Sequence, residues 1–224
     1  MLLPSQPLAS LAAHGVAFRA ALTPADMARL AVSRDCFHAA WLAPLLIYAA
    51  VEPRPRLFPM SLSWTIRRGF PRLVHNGCWL AGWLTFISTA VRATGRFSFT
   101  SCFAAQMFAT GAVATIVCPV GSGRKLQDIA HLGAALLYML DHVVLFGLLG
   151  IPRRVVWTFW ACFALMIAAK PATTPDASRQ QARQPVGTAS DSFRADNPVA
   201  KGCFMVGEYG LFVSFLCGML GGLR

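Results

Sequence analysis

The stretch QDIAHLGAALLYMLDHVVLFGLLGI, from Gln127 to Ile151, is apolar enough to cross a bilayer, yet it carries Asp128, His131, Tyr138, Asp141 and His142. Ionisable groups at membrane depth are costly and must face protein or water. At 3.6 residues per turn, Asp128, His131, Tyr138 and His142 fall within an arc of roughly 80° on a helix. That arc is a face reserved for an interior. Asp141 lies well off it and needs a partner of its own.

The same reading extends outward along the chain. Of its 224 residues 56% are hydrophobic and only 13% are charged, against about 25% charged residues in soluble domains. Apolar residues gather into long runs separated by arginine-bearing loops, the spacing of spanning helices. Six runs are expected: Cys36 to Val51, Val74 to Val91, Phe97 to Val120, Gln127 to Ile151, Val155 to Ala169 and Cys203 to Leu223. A span needs about 20 apolar residues, so the first and fifth runs are short and could be re-entrant or interfacial. The predicted fold is all-α, a polytopic bundle of about six transmembrane helices. Residues 1–35 read as an N-terminal tail, residues 36–224 as one membrane domain, and Lys170 to Gly202 as a polar, disordered loop within it.

Charge excludes one class of partner and suggests another. The net charge of +11 would suit nucleic acid, but a nucleic-acid domain clusters its basic residues on one face, and here they punctuate the apolar runs. Arg54, Arg56, Arg67, Arg68 and Arg72 form the densest group, and anionic lipid headgroups are their expected partners. With the N-terminus cytoplasmic, eight Lys and Arg fall inside and twelve outside, so positive-inside counting favours the opposite orientation. Cys78, Cys102, Cys162 and Cys217 lie within apolar runs, and Cys36, Cys118 and Cys203 at their ends. No CxxC spacing occurs, and neither a zinc site nor a disulfide framework is indicated.

Reaction chemistry is not written in any single motif. His131 and His142 would stand about 16 Å apart along a helix, too far to share one metal ion. Either could still join Glu208 or His75 from another helix. No Gly-x-Ser-x-Gly or HExxH pattern is present. A structural role, in which each polar residue is a buried hydrogen-bonded group worth roughly 0.6 kcal/mol, stands beside every functional one. Glu208, followed by Tyr209 near the start of the last run, could anchor at the interface or tie that helix to His131.

Three short stretches carry a family resemblance. Gln127-Asp128-Ile129-Ala130-His131-Leu132-Gly133-Ala134 resembles the signature of the FRAG/DRAM/SFK superfamily, a histidine followed closely by Gly-Ala at a helix start. Phe58-Pro59-Met60-Ser61-Leu62-Ser63, with Pro71-Arg72 downstream, resembles its first-loop stretch, and Gly207-Glu208-Tyr209 its last-helix motif. The chain departs from the pattern at Met60, at Leu132 and in its long fifth loop. The resemblance spans Cys36 to Leu223 and implies a six-helix domain with both termini in the cytosol, like the CWH-like N-terminal membrane domain of relatives. It also implies lipid handling without an established catalytic mechanism, as in autophagy modulators and GPI-lipid remodelling factors.

The expectation is therefore a multipass protein of the eukaryotic endomembrane system (Golgi, ER, lysosome or plasma membrane) that modulates membrane lipid organisation, GPI-anchor lipid processing or autophagy without catalysis. The alternatives are a membrane lipid hydrolase or acyltransferase using His and Asp groups, and a small proton-coupled transporter. Asp128, His131, Tyr138, Asp141, His142, Glu208 and Tyr209 are the candidate polar interior. Phe58, Pro59, Ser61, Arg67, Arg68, Pro71 and Arg72 are the candidate first-loop motif and headgroup contacts. No catalytic residue, metal or cofactor is assigned.

Overall fold

The computed structural model describes residues 6–51, 66, 69–95, 98–117, 125–173 and 198–221, and every element among them is helical. The order is α1 (Gln6–Ala21), α2 (Pro24–Val51), α3 (Gly69–Thr94), α4 (Phe99–Ala112) continued by a π-helical turn (Val113–Val117), α5 (Lys125–Leu149), α6 (Arg153–Thr173) and α7 (Pro198–Gly221). Three of these helices are long and apolar enough to cross a membrane, over Pro24–Tyr48, Phe99–Val117 and Ile129–Leu149. The other three expected runs lie in α3, α6 and α7. In α3, His75, Asn76, Thr85, Ser88 and Thr89 dilute the apolar character. The two runs that look short in sequence belong to helices of 28 and 21 residues, about 42 and 31 Å long and able to cover a hydrocarbon core of about 30 Å.

The segment before Cys36, read as a tail, folds into α1 and the first turns of α2, and buries Phe18 and Leu30 in the core. Its local signals are strong. At the start of α2, the Thr23 hydroxyl accepts from the Asp26 N–H at 3.2 Å while the Asp26 carboxylate accepts from the Thr23 N–H at 3.0 Å. This is a reciprocal cap, with Pro24 at the first helical position, where a missing N–H costs nothing. The buried Asp26 carboxylate also pairs with Arg92 near the end of α3.

The end of α5 shows how α1 is held. Gly150 takes the left-handed conformation (φ 69°), and the N–H groups of Gly150 and Ile151 donate to the carbonyls of Gly147 (3.3 Å) and Phe146 (2.9 Å). This Schellman closure leaves the Leu148 carbonyl over. Arg19 Nη1 donates to it at 2.7 Å, bringing a cation to the negative end of the helix dipole. His14 stacks on Phe99 at 4.9 Å and Phe18 lies 6.4 Å from Phe86. Thus α1 crosses the end of the bundle where α3 finishes, α4 begins and α5 finishes.

Two antiparallel pairs make the most extensive seams, α2 with α3 and α6 with α7. In the first, Ser33 Oγ donates to the Gly82 carbonyl at 2.7 Å, and His75 Nδ1 meets the Ala40 carbonyl at 2.6 Å. The Phe37 ring lies directly over Gly82. In the second, a Cβ added to Gly207 would stand 2.8 Å from both the Cys162 carbonyl oxygen and the Met166 nitrogen, so only glycine permits that backbone approach.

Gly207→Val is expected to cost about 1–3 kcal/mol by overpacking, read as a lowered thermal midpoint in detergent. An unchanged midpoint would contradict the close approach. Arg19→Met keeps the aliphatic stem and loses the charged hydrogen bond, worth about 1.5–3 kcal/mol. It should make α1 cleavable by protease under conditions in which the rest of the bundle resists.

Candidate functional site

Two of the candidate residues, His131 and Arg72, meet at the π-helical turn that continues α4. A π-turn shifts the backbone out of the i→i−4 ladder, so its carbonyls become available to other donors, and such turns are frequent at functional sites. Two helices supply those donors. His131 Nδ1, on α5, lies 2.7 Å from the Ala114 carbonyl oxygen. Arg72 Nη2, at the start of α3, donates to the Ile116 carbonyl at 2.9 Å. Because a carbonyl only accepts, His131 holds its proton on Nδ1 in this bond. Within the turn, Thr115 Oγ1 donates to the Gly111 carbonyl at 2.8 Å. His131 and Arg72, far apart in sequence, thus act on carbonyls two residues apart.

One side of α5 continues from His131 into an aromatic column. The Tyr138 ring lies 6.4 Å from Trp83 of α3 and 4.8 Å from His142. His142 in turn stacks on Phe159 of α6 at 5.4 Å and meets Phe146 edge-on at 5.8 Å. Trp79 and Trp83, 6.3 Å apart, extend the column towards Phe108 of α4, which stacks on Trp79 at 5.3 Å. His142 Nδ1 is 2.7 Å from the Tyr138 carbonyl of its own helix, so its ring is oriented by its backbone and by three aromatic neighbours. These rings bind α3, α4, α5 and α6 together through offset and edge-to-face contacts.

Asp141, off this face, turns to α4. Gln106 Nε2 stands 3.3 Å from each Asp141 carboxyl oxygen. The partner of a buried carboxyl is here an amide rather than a cation. Glu208 and Tyr209 are half-buried on α7, the helix that packs along α6. Asp128 sits in the first turns of α5, and its side chain lies outside the described residues, as do Phe58, Pro59, Ser61, Arg67 and Arg68. Pro71 is buried in the first turn of α3, where helices tolerate proline.

The candidates therefore divide among different partners: His131 and Arg72 at the π-turn, Tyr138 and His142 in the aromatic column, Asp141 on Gln106. Among the described residues no group of three or more His, Cys, Asp or Glu is placed to hold a metal ion. Sequence reasoning missed two features of this region and expected another partner for a third, His75. The carbonyl acceptors Ala114 and Ile116 carry no side-chain signal. Gln106 did carry one, as a lone amide inside the apolar run from Phe97 to Val120. His75, fully buried against Ala40 and edge-on to Trp41 at 4.8 Å, bonds across the α2–α3 seam rather than to α5. No protein family, curated protein or solved structure matches the chain.

His131→Ala and Arg72→Met each remove one cross-helix donor from the π-turn and are each expected to cost about 0.6–2 kcal/mol. Because both act on the same turn, the double variant should lose less than the sum of the two. Denaturation of the purified protein in mixed micelles measures all three, and strict additivity would mean that the two bonds hold the turn independently.

Proposed function

We propose that this chain is a multipass protein of eukaryotic endomembranes that modulates membrane lipid organisation or GPI-anchor lipid processing without catalysing a reaction. In this reading α2 to α7 cross the bilayer, α1 lies along one interface, and both termini are cytosolic. The observation that carries it is the two-sidedness of α5. One side spends its polar groups on α4 and its rings on α3 and α6. The other leaves Leu126, Ile129, Leu132, Leu136, Leu137 and Leu140 exposed, a surface suited to acyl chains and not to water.

Two further features support a non-catalytic role in lipid handling. The donors of His131 and Arg72 that face α4 are committed to backbone carbonyls, which suits a residue that shapes an interior more than one that moves protons to a substrate. Arg72 uses one Nη group on Ile116 and has further N–H donors for a headgroup phosphate at the same bilayer edge. The resemblance to the FRAG/DRAM/SFK superfamily points the same way, through Gln127 to Ala134, the first-loop stretch and Gly207 to Tyr209.

The test is to replace the chain in cells with His131→Ala, Arg72→Met or Glu208→Gln, confirm bilayer insertion by resistance to carbonate extraction, and profile GPI-anchor lipids and leaflet distribution. Altered lipid composition with normal insertion is the expected result. If insertion is normal and every lipid profile and trafficking readout stays unchanged, the proposal fails. Stoichiometric zinc with lipid turnover abolished by His131→Ala would replace it with a hydrolase or acyltransferase. Substrate flux driven by a pH gradient in liposomes would replace it with a transporter.

A further inference from the structure

We infer that the outward face of α4 is a homodimer interface, joined at mid-membrane by reciprocal hydrogen bonds between the Gln106 amides of two copies. The inference rests on the membrane reading of α4, and its tests separate the two.

Gln106 is the eighth residue of the apolar stretch Phe99–Val117, about 10 Å from its start and so near the middle of a bilayer. Its side chain is exposed. A primary amide has two N–H donors and a carbonyl able to accept two bonds. Here the Nε2 group bonds to Asp141 alone, through both carboxyl oxygens. Oε1 accepts no hydrogen bond among the described residues, and hydrocarbon offers it no donor.

A second copy supplies what is missing in the right proportion. An amide is self-complementary: across a two-fold axis each Gln106 Oε1 accepts from the other's Nε2, and each Nε2 keeps its bond to its own Asp141. Such an isologous contact satisfies both copies at once and closes on itself. Asp141 keeps the amide in place, since its carboxyl holds Nε2 and leaves Oε1 unspent. A polar residue of another protein would meet one amide but would not be required by its geometry.

The surrounding surface permits the approach. Cys102, Gln106, Ala109 and Val113 fall within about 60° of arc, and all four are exposed. The three that flank Gln106 are small or short, the kind of residue that lets two spanning helices come close. Among the described residues α4 packs on α1, α3 and α5, and this face has no partner. Cys102 is a free thiol one turn from Gln106, so it reports directly on the contact.

The experiment is oxidative cross-linking of the full chain reconstituted in phosphatidylcholine liposomes, with copper phenanthroline as oxidant, together with subunit counting by single-molecule photobleaching as protein is diluted in lipid. A covalent dimer that disappears in Cys102→Ser, and a two-step bleaching population that falls on dilution, are expected. Gln106→Leu should raise the dimer dissociation constant about 3- to 30-fold, the range of interhelical hydrogen bonds in bilayers. Because that variant also unpairs Asp141, Ala109→Trp serves as the second one. It leaves the Asp141 bond alone and should abolish the cross-link by bulk. A protein that resists carbonate extraction but bleaches in one step at every dilution overturns the inference, as does a Cys102 cross-link undiminished in Ala109→Trp. A protein that carbonate extracts overturns the membrane reading itself.

Discussion

In a helix buried among apolar side chains each laddered carbonyl keeps a second lone pair, and carbonyls at helix ends and irregular turns stand free of the ladder; this chain uses both at seam after seam. Ser33 donates to Gly82 and His75 to Ala40 between α2 and α3, Arg72 to Ile116 between α3 and the π-turn, His131 to Ala114 between α5 and the π-turn, and Arg19 to Leu148 between α1 and α5. In lipid the helices gain nothing from hiding apolar surface from each other, since acyl chains are equally apolar. Directional bonds and close packing must select the neighbour. A side chain that reaches a carbonyl fixes axial register to within a residue, which generic apolar contact cannot do.

The constraint also explains where the molecule departs from regular geometry. An α-helical carbonyl in the middle of α4 is shielded by the next turn and by its own ladder bond. At Val113–Val117 the ladder slips to a wider turn, and two donors from different helices enter there. The slip and the donors suit each other: the freed carbonyls of Ala114 and Ile116 would otherwise lie unpaired, and His131 and Arg72 pair them. The aromatic column from Phe108 through Trp79 and Trp83 to Tyr138, His142 and Phe159 provides the non-directional counterpart, filling the space that the carbonyl bonds define.

Much of the helical layout is legible in the sequence because long apolar windows announce themselves without reference to any partner. Apart from Ser98, Gly150 and Ile151 at their ends, the apolar runs from Cys36 to Leu223 lie in helices where the structure describes them. What stays hidden is whatever depends on another element. Residues 6–35 look like a loose tail because Ala, Ser and Arg interrupt their apolar content, and only the contacts of Phe18, Arg19 and Leu30 make them part of the core. The Thr23-Pro24-Ala25-Asp26 cap is a local pattern with a local cause, and the reading of this segment as a tail missed it. The partners of His131 and Arg72 were not, since any residue can offer a carbonyl. Glycine in Gly207-Glu208-Tyr209 reads in sequence as part of a family motif, and the structure supplies its reason in the backbone of α6.

The bond from Arg19 to Leu148 joins residues 129 positions apart, and that separation has a consequence for biogenesis. At a synthesis rate of 5–20 residues per second, roughly 6–26 s pass between the emergence of α1 and that of the helix end it caps. During that interval α1 can reach α3 and α4, through Phe18 on Phe86 and His14 on Phe99, but the carbonyl that Arg19 caps does not yet exist. The seating of α1 is therefore completed late, and its last bond records that the end of α5 has taken its place.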